Sequence, residues 1–349
     1  MTRVGIITFL HNDNYGSSLQ AYALQRTIRE MGYDCEHLDY RPDRTEKIRN
    51  LLESGNSPKL VLDGLRKRGV KADQAGARKK SAAIPAFYEK EMQLSRVCRN
   101  RKELREQSRE YDILVCGSDQ IWNPVWLNPA YFLTFAPEGT RKIAYAPSLG
   151  IRTMPTRGKI RKIRKWIRGF SAISVREKEG AELLEKMTGI QAEVMPDPVC
   201  LLSRTEWEEL AAEPPKGEPY VLCYFIGENP SYRERVRQIS RESGMRVLEI
   251  PVTAAGYSSG FERLEGLGPQ EFLGAVRGAA RFCTDSFHGL VMGTLLSVPT
   301  EPMRRYRDDD PESKNSRVDN FLRVIREKGQ EELRTEGRTW LKEKLREGG

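Results

Sequence analysis

Short apolar runs of strand length alternate along the chain with longer amphipathic stretches, and this alternation predicts parallel sheet covered on both faces. VGIITF leads to a helix from about 17 to 31 and then to a short strand near CEHLDY. From about 44 to 109 the pattern is polar, basic and helical, broken by Gly-Asn-Ser-Pro at 55–58, and reads as an insertion of helices. The sheet resumes at YDILVCG and KIAYAPSLG, after which a basic helix over about 156–169 opens a second alternating series. That series runs SAISVRE, a helix through Met187, AEVMPD, a helix around Trp207, YVLCYFIG, a helix near 231–242, RVLEIPV, a helix near 270–276, and RFCTDS with its own helix. The expectation is an α/β chain of two Rossmann-like domains facing a central cleft. Residues 1–169 form the first and 170–328 the second, and an amphipathic helix over 329–349 can pack back on the first. Ligands in such sheets bind outside the strands' carboxyl ends, so chemistry is expected there.

Composition narrows the classes. A length of 349 residues favours two domains over one core. The six cysteines are scattered without a CxxC pair, which suits buried free thiols in a reducing compartment better than disulfides or zinc. The apolar run in MTRVGIITFLHND is too short to span a membrane and lacks a small-residue cleavage site; nothing later reaches spanning length, so a cytoplasmic location is expected. Net charge is +9, and residues 41–109 hold 19 Lys and Arg against 9 Asp and Glu, which accounts for the imbalance. This basic stretch lacks interleaved aromatics, which argues against nucleic acid as the partner. There is no HExxH, P-loop, GxGxxG or nucleophile elbow, and no case for a redox cofactor. Asp308-Asp309-Asp310 looks like a DxD metal site, but its run, RYRDDDPESKNS, reads as a solvated loop, so no metal is expected.

Four stretches end strands and open turns. In HNDNYGSSLQ, Asn14, Tyr15 and Gly16 make a polar turn, Ser17 or Ser18 can cap the next helix, and Gln20 follows on it; a capped turn and nothing more is the plain alternative. In CGSDQIWNP, Ser118, Asp119, Trp122 and Asn123 offer hydroxyl, carboxylate, indole and amide, the groups that bind sugar hydroxyls and stack on a sugar's C–H face. A self-capping Asp and a core Trp fit the same residues. In ISVREKEG, Arg176 ends a strand, and its planar fork suits a carboxylate or phosphate; an ion pair with a neighbouring Glu is the other reading. In TDSFHGLVMG, Ser286, Phe287, His288 and Gly289 lie where a strand becomes a helix N-terminus, a place that favours an anion with His288 beside it.

Taken in this order, NYGSSLQAYALQ, YDILVCGSDQIWNP, ISVREKEGAELL, DPVCLL, the Gly268-Pro269 lead-in to EFL, TDSFHG and NSRVDNFL resemble the polysaccharide pyruvyl transferase family over about residues 4–325. The resemblance implies a fold like that of GT-B glycosyltransferases. It implies transfer of a pyruvyl group from phosphoenolpyruvate, as co-substrate and without a further cofactor, onto two hydroxyls of a sugar as a cyclic ketal. The family's essential Arg and His match Arg176 and His288. Some relatives carry Arg where this chain has Ser286, and Arg304, Arg305 or Arg317 could supply that charge. On this reading His288 carries the proton, Arg176 holds the anion and Asp119 is the second choice of base, at the acceptor hydroxyl. The acceptor, a sugar or glycan that is free, nucleotide-linked or lipid-linked, is not written in these residues, nor is the oligomeric state.

Two other classes compete. One is a GT-B glycosyltransferase using a nucleotide sugar, the other a non-enzymatic membrane-surface or glycan-binding protein. The second rests on RGKIRKIRKWIRG, whose Ile160, Ile163, Ile167 and Phe170 share one side of a basic helix that could lie on an anionic membrane or, as a plainer account, dock on the sheet; peripheral contact at the inner face of the membrane would equally suit an enzyme whose acceptor is a lipid-linked glycan.

Overall fold

The computed structural model describes residues 1–55, 74–305 and 315–347, with no account of the side chains of 74–81, 315–317 and 319. Asp308–Asp310 and the side chain of Arg317 therefore lie outside the described residues.

The first sheet is six-stranded and parallel. β1 (Arg3–Ile7) is all but buried and lies between β2 (Asp34–His37) and β3 (Ile113–Cys116). Beyond β3 come β4 (Arg141–Ala144), β5 (Ala172–Val175) and β6 (Glu193–Val194). The second sheet, also parallel, has β7 (Tyr220–Tyr224) between β8 (Arg246–Ile250) and β10 (Arg281–Thr284), with β9 (Glu262–Arg263) and β11 (Thr300–Pro302) at the edges. Strand order reverses between β1 and β3 in one sheet and between β7 and β10 in the other. These reversals are where open α/β sheets bind ligands.

The expected boundary at 169 is corrected. β5 pairs with β4, and β6 with β5, so SAISVRE and AEVMPD finish the first sheet. A short strand after a helix has the same alternation whichever sheet it joins, and only long-range pairing decides. The chain crosses to the second domain through Pro196–Leu202, where a 3-10 turn over Pro198–Leu201 is fully buried.

Helices close both faces. α1 (Tyr15–Glu30) is capped by Asn14, whose Oδ1 accepts from Gly16 N–H at 2.9 Å; the helix starts earlier than expected because Asn14, not Ser17 or Ser18, satisfies its first turn. The basic insertion supplies α2 (Arg44–Ser54), α3 (Gln74–Glu91) and α4 (Arg101–Ser108). α3 props the seam between domains: Ile84, Phe87 and Tyr88 share a core with Tyr22 of α1 and Phe272. α5 (Arg157–Trp166) docks its apolar stripe inward, burying Ile163 and Ile167 against the first sheet, so that stripe is not a membrane face. α6 (Lys178–Thr188) follows β5, and α7 (Arg204–Leu210) begins with a capping box of Ser203 and Glu206. The second sheet carries α8 (Pro230–Ser243), the single turn α9 (Ala254–Tyr257), α10 (Pro269–Arg277) and α11 (Phe287–Leu295).

The last helix, α12 (Asn315–Arg346), is broken at Gly329, whose φ of 78° is left-handed. Before the break Phe321 packs on the second domain; after it Trp340, Leu341 and Leu345 are buried with Val4 and Ile6 of the first strand. The six cysteines are all buried and unpaired.

Candidate active site at the domain seam

The site is built around a residue the sequence reading did not single out. Asp197 follows β6, between two prolines, and its carboxylate is buried. Oδ1 accepts from Val199 N–H at 3.1 Å, capping the 3-10 turn. Oδ2 accepts from Arg176 Nη1 at 2.5 Å and meets His288 Nε2 at 3.3 Å. One carboxylate of the crossover thus ties the end of a first-domain strand to the start of a second-domain helix. Its sequence signal was an acid shortly past a strand end in MPDPV, as Arg176 stands just past the strand before it.

Burial alone would raise the pKa of Asp197, but the charges and hydrogen bonds of His288 and Arg176 outweigh it and hold the carboxyl well below its usual range. Burial disfavours the charged form of Arg176, and Glu177, Asp197 and Asp119 reverse that, raising it above its ordinary value. The guanidinium also donates through Nε to Glu177 Oε1 at 3.3 Å and lies over the ring of Phe287 at 4.7 Å. Among the described residues its Nη2, buried, has no hydrogen-bond partner. A buried cationic donor left unpaired is costly, and a ligand oxygen would satisfy it. A cavity of about 310 Å³ adjoins it, lined also by Asp197, Phe287, Asn320, Lys328 and Glu336.

His288 is held from below by α11, whose N-cap Ser286 accepts from Gly289 N–H at 3.2 Å, and from across the seam by α1. At Gly16 the first turn of α1 runs so close to the imidazole that an added Cβ would fall within 2.6 Å of the His288 Cβ and nearer still to Cγ and Nδ1. The N-termini of α1 and α11, each carrying positive potential, therefore meet at His288. Asp119, at φ 64° after β3, accepts from Ser17 Oγ at 2.6 Å and acts electrostatically on Arg176. Arg176, His288, Gly16 and Asp119 converge on this seam.

Other expected ligands are engaged in holding the loops. Tyr15 is buried, stacked on Phe272 with centroids 4.5 Å apart, and donates to Leu267 O at 3.1 Å; it is core between the domains. Gln20 bridges Thr8 Oγ1 and Ser118 N–H, and Ser118 Oγ donates to Ala146 O at 2.6 Å, all buried. Trp122 is buried, stacked on Phe132 at 5.1 Å with Nε1 on Tyr131 O, so it presents no face to a sugar. A turn-flanking aromatic reads the same in sequence whether it faces solvent or core. Asn123 caps its own turn through Val125 N–H at 2.8 Å. Arg305 donates to the Asp285 carboxylate and carbonyl, and that carboxylate also accepts from Ile226 N–H and Gly227 N–H, tying the loops after β7 and β10 together. Among the described residues no cluster of three His, Cys, Asp or Glu could hold a metal ion.

Two facing Rossmann-like sheets with a charged centre on their seam define a fold of GT-B type. The chain belongs to the polysaccharide pyruvyl transferase family, whose model matches residues 14–301; this is a family of transferases acting on polysaccharide. No curated protein shows significant sequence similarity to it. Among solved structures it is similar in fold to the UDP-GlcNAc 2-epimerase from Neisseria meningitidis bound to UDP-GlcNAc, with 8% identity, 99% of each chain covered and a TM-score of 0.51. More distant are the UDP-GlcNAc 2-epimerase from Methanocaldococcus jannaschii (12% identity, 95% of this chain and 90% of that one, TM-score 0.49) and the E. coli heptosyltransferase WaaC (13%, 93% and 99%, TM-score 0.43). At these identities the likeness concerns the fold alone.

Proposed function

We propose that the protein is a phosphoenolpyruvate-dependent pyruvyl transferase that forms a cyclic pyruvate ketal on two hydroxyls of a glycan sugar and releases phosphate. The observation that carries this reading is the Asp197 carboxylate shared by Arg176 and His288, with Nη2 of Arg176 left for a ligand. Phosphoenolpyruvate is a small, multiply charged anion, and an unpaired guanidinium edge beside two helix N-termini matches it.

In the reaction, His288 gives a proton to the terminal enol carbon, and the neighbouring carbon becomes oxocarbenium-like. Asp197 orients the imidazole through Nε2. One sugar hydroxyl attacks the electrophilic carbon and phosphate departs with the bonding electrons. The second hydroxyl closes the ring; of the two protons lost by the hydroxyls, one balances that given to carbon and the other leaves on phosphate. Arg176 stabilises charge on the phosphate and carboxylate as the bond breaks. In this reading Asp119 serves as base for an attacking hydroxyl, and no step needs a further cofactor.

The test is incubation with phosphoenolpyruvate and a panel of glycans, following phosphate release and, by mass spectrometry, a product heavier by one pyruvate less one water. A thermal-shift arm compares phosphoenolpyruvate with nucleotide sugars. Stabilisation by a nucleotide sugar alone, with no ketal formed, would replace this reading by glycosyl transfer.

A further inference from the structure

Five of the exposed large apolar side chains gather on one side of the first domain: Ile48 (51% exposed) and Leu52 (76%) one turn apart on α2, Val125 (49%) and Trp126 (44%) on a 3-10 turn after β3, and Met154 (46%) in the loop before α5. These segments touch. α2 packs on the 3-10 turn; Gly150, leading to Met154, lies against the side chains of Gln120 and Asn123; Lys162 of α5 donates to the backbone carbonyl of Glu53 at the end of α2.

Beside this apolar face runs a basic one. Residues 157–168 contain seven Lys and Arg and no acid. Arg157, Arg161 and Lys165 are spaced to lie on a single stripe of the helix and Arg168 follows in the turn beyond it, all exposed, and among the described residues no carboxylate pairs with them. The burial of Ile163 and Ile167 is what turns that stripe outward.

We propose that this face docks on an anionic lipid bilayer, with the stripe of α5 at the headgroups and Leu52, Ile48 and Trp126 inserted at the interface. Charge selects the occupant: a basic stripe flanked by exposed aliphatic side chains and an interfacial Trp matches an anionic lipid surface, whereas a polyanion in solution has no use for the apolar half. Trp126 donates to Gln120 O, one residue from Asp119, so the docked face borders the part of the seam that holds Asp119, the proposed base at the acceptor hydroxyl. Resting on the pyruvyl-transfer reading, this assigns the acceptor to the lipid-linked class.

The test is co-sedimentation of the full chain with vesicles of equimolar phosphatidylglycerol and phosphatidylcholine, against pure phosphatidylcholine, at low and high salt. Binding is expected only to the anionic vesicles and is weakened by salt; Arg161→Glu with Lys165→Glu lowers apparent affinity at least about tenfold, and Leu52→Asp with Trp126→Ser does likewise. No binding at low salt, or equal binding to neutral vesicles, overturns the proposal. So does binding lost on charge reversal but untouched by Leu52→Asp with Trp126→Ser, which would mark a soluble polyanion site. The assay needs neither phosphoenolpyruvate nor acceptor, so its failure leaves the transfer reading standing, and the failure of that reading leaves the vesicle result intact.

Discussion

Gly16 of the first domain lies directly against the imidazole of His288 in the second, with no room between them for a methyl group. Gly16→Ala therefore displaces the proposed proton carrier while leaving its chemistry intact. We expect at least about a hundredfold loss of phosphoenolpyruvate turnover, with a stability loss of about 1–3 kcal/mol. Turnover near wild type in a folded Gly16→Ala protein would remove His288 from the reaction.

Asp197→Asn keeps the shape of the side chain but removes the charge shared by Arg176 and His288. With Glu177 still near the guanidinium, the loss of stability should lie toward the lower end of the roughly 3–5 kcal/mol typical of a broken buried pair. The carboxyl is held below its usual range when folded, so its contribution is full above the ordinary carboxylate pKa and is lost progressively as pH falls from there through the depressed folded-state value. Urea melts across acid pH should show this limb in the wild type and a shallower one in Asp197→Asn.

His37 supplies a second pH signal, remote from chemistry. Burial lowers its pKa to about 4, and Nε2 faces Ala21 O at 3.0 Å. Between about 6.5 and 4 the unfolded chain takes up the proton and the folded one does not, so stability falls with falling pH across that window, by about 3 kcal/mol. His37→Gln should flatten the window whatever its effect at neutral pH, and an unchanged slope would contradict the burial argument.

Trp122 separates core from ligand. Because its indole is stacked on Phe132, Trp122→Phe should leave acceptor KM unchanged and lower Tm through the lost bond to Tyr131 O. Trp122→Ala should cost about 3–5 kcal/mol. A raised acceptor KM in a stable Trp122→Phe protein would restore the sugar-stacking role.

The strand-end turns were legible because their chemistry is local: Arg176 and His288 announce themselves as polar groups where apolar runs stop, and both reach the seam. The caps were legible too, but Asn14 and Asn123 satisfy backbone N–H groups, a use that looks in sequence like ligand binding. What sequence could not give was pairing at a distance. Nothing in SAISVRE says that its strand joins β4, and nothing in MPDPV says that Asp197 is the group on which both domains' functional side chains close.

The two-part α12 has a consequence for how the molecule is made. Val4 and Ile6 precede the second domain in the chain, yet the neighbours that shield them include Trp340, Leu341 and Leu345, which are made only after that domain. One flank of the first sheet therefore stays open to water while the second domain is being built, which gives chaperones a period of access and aggregation a hazard.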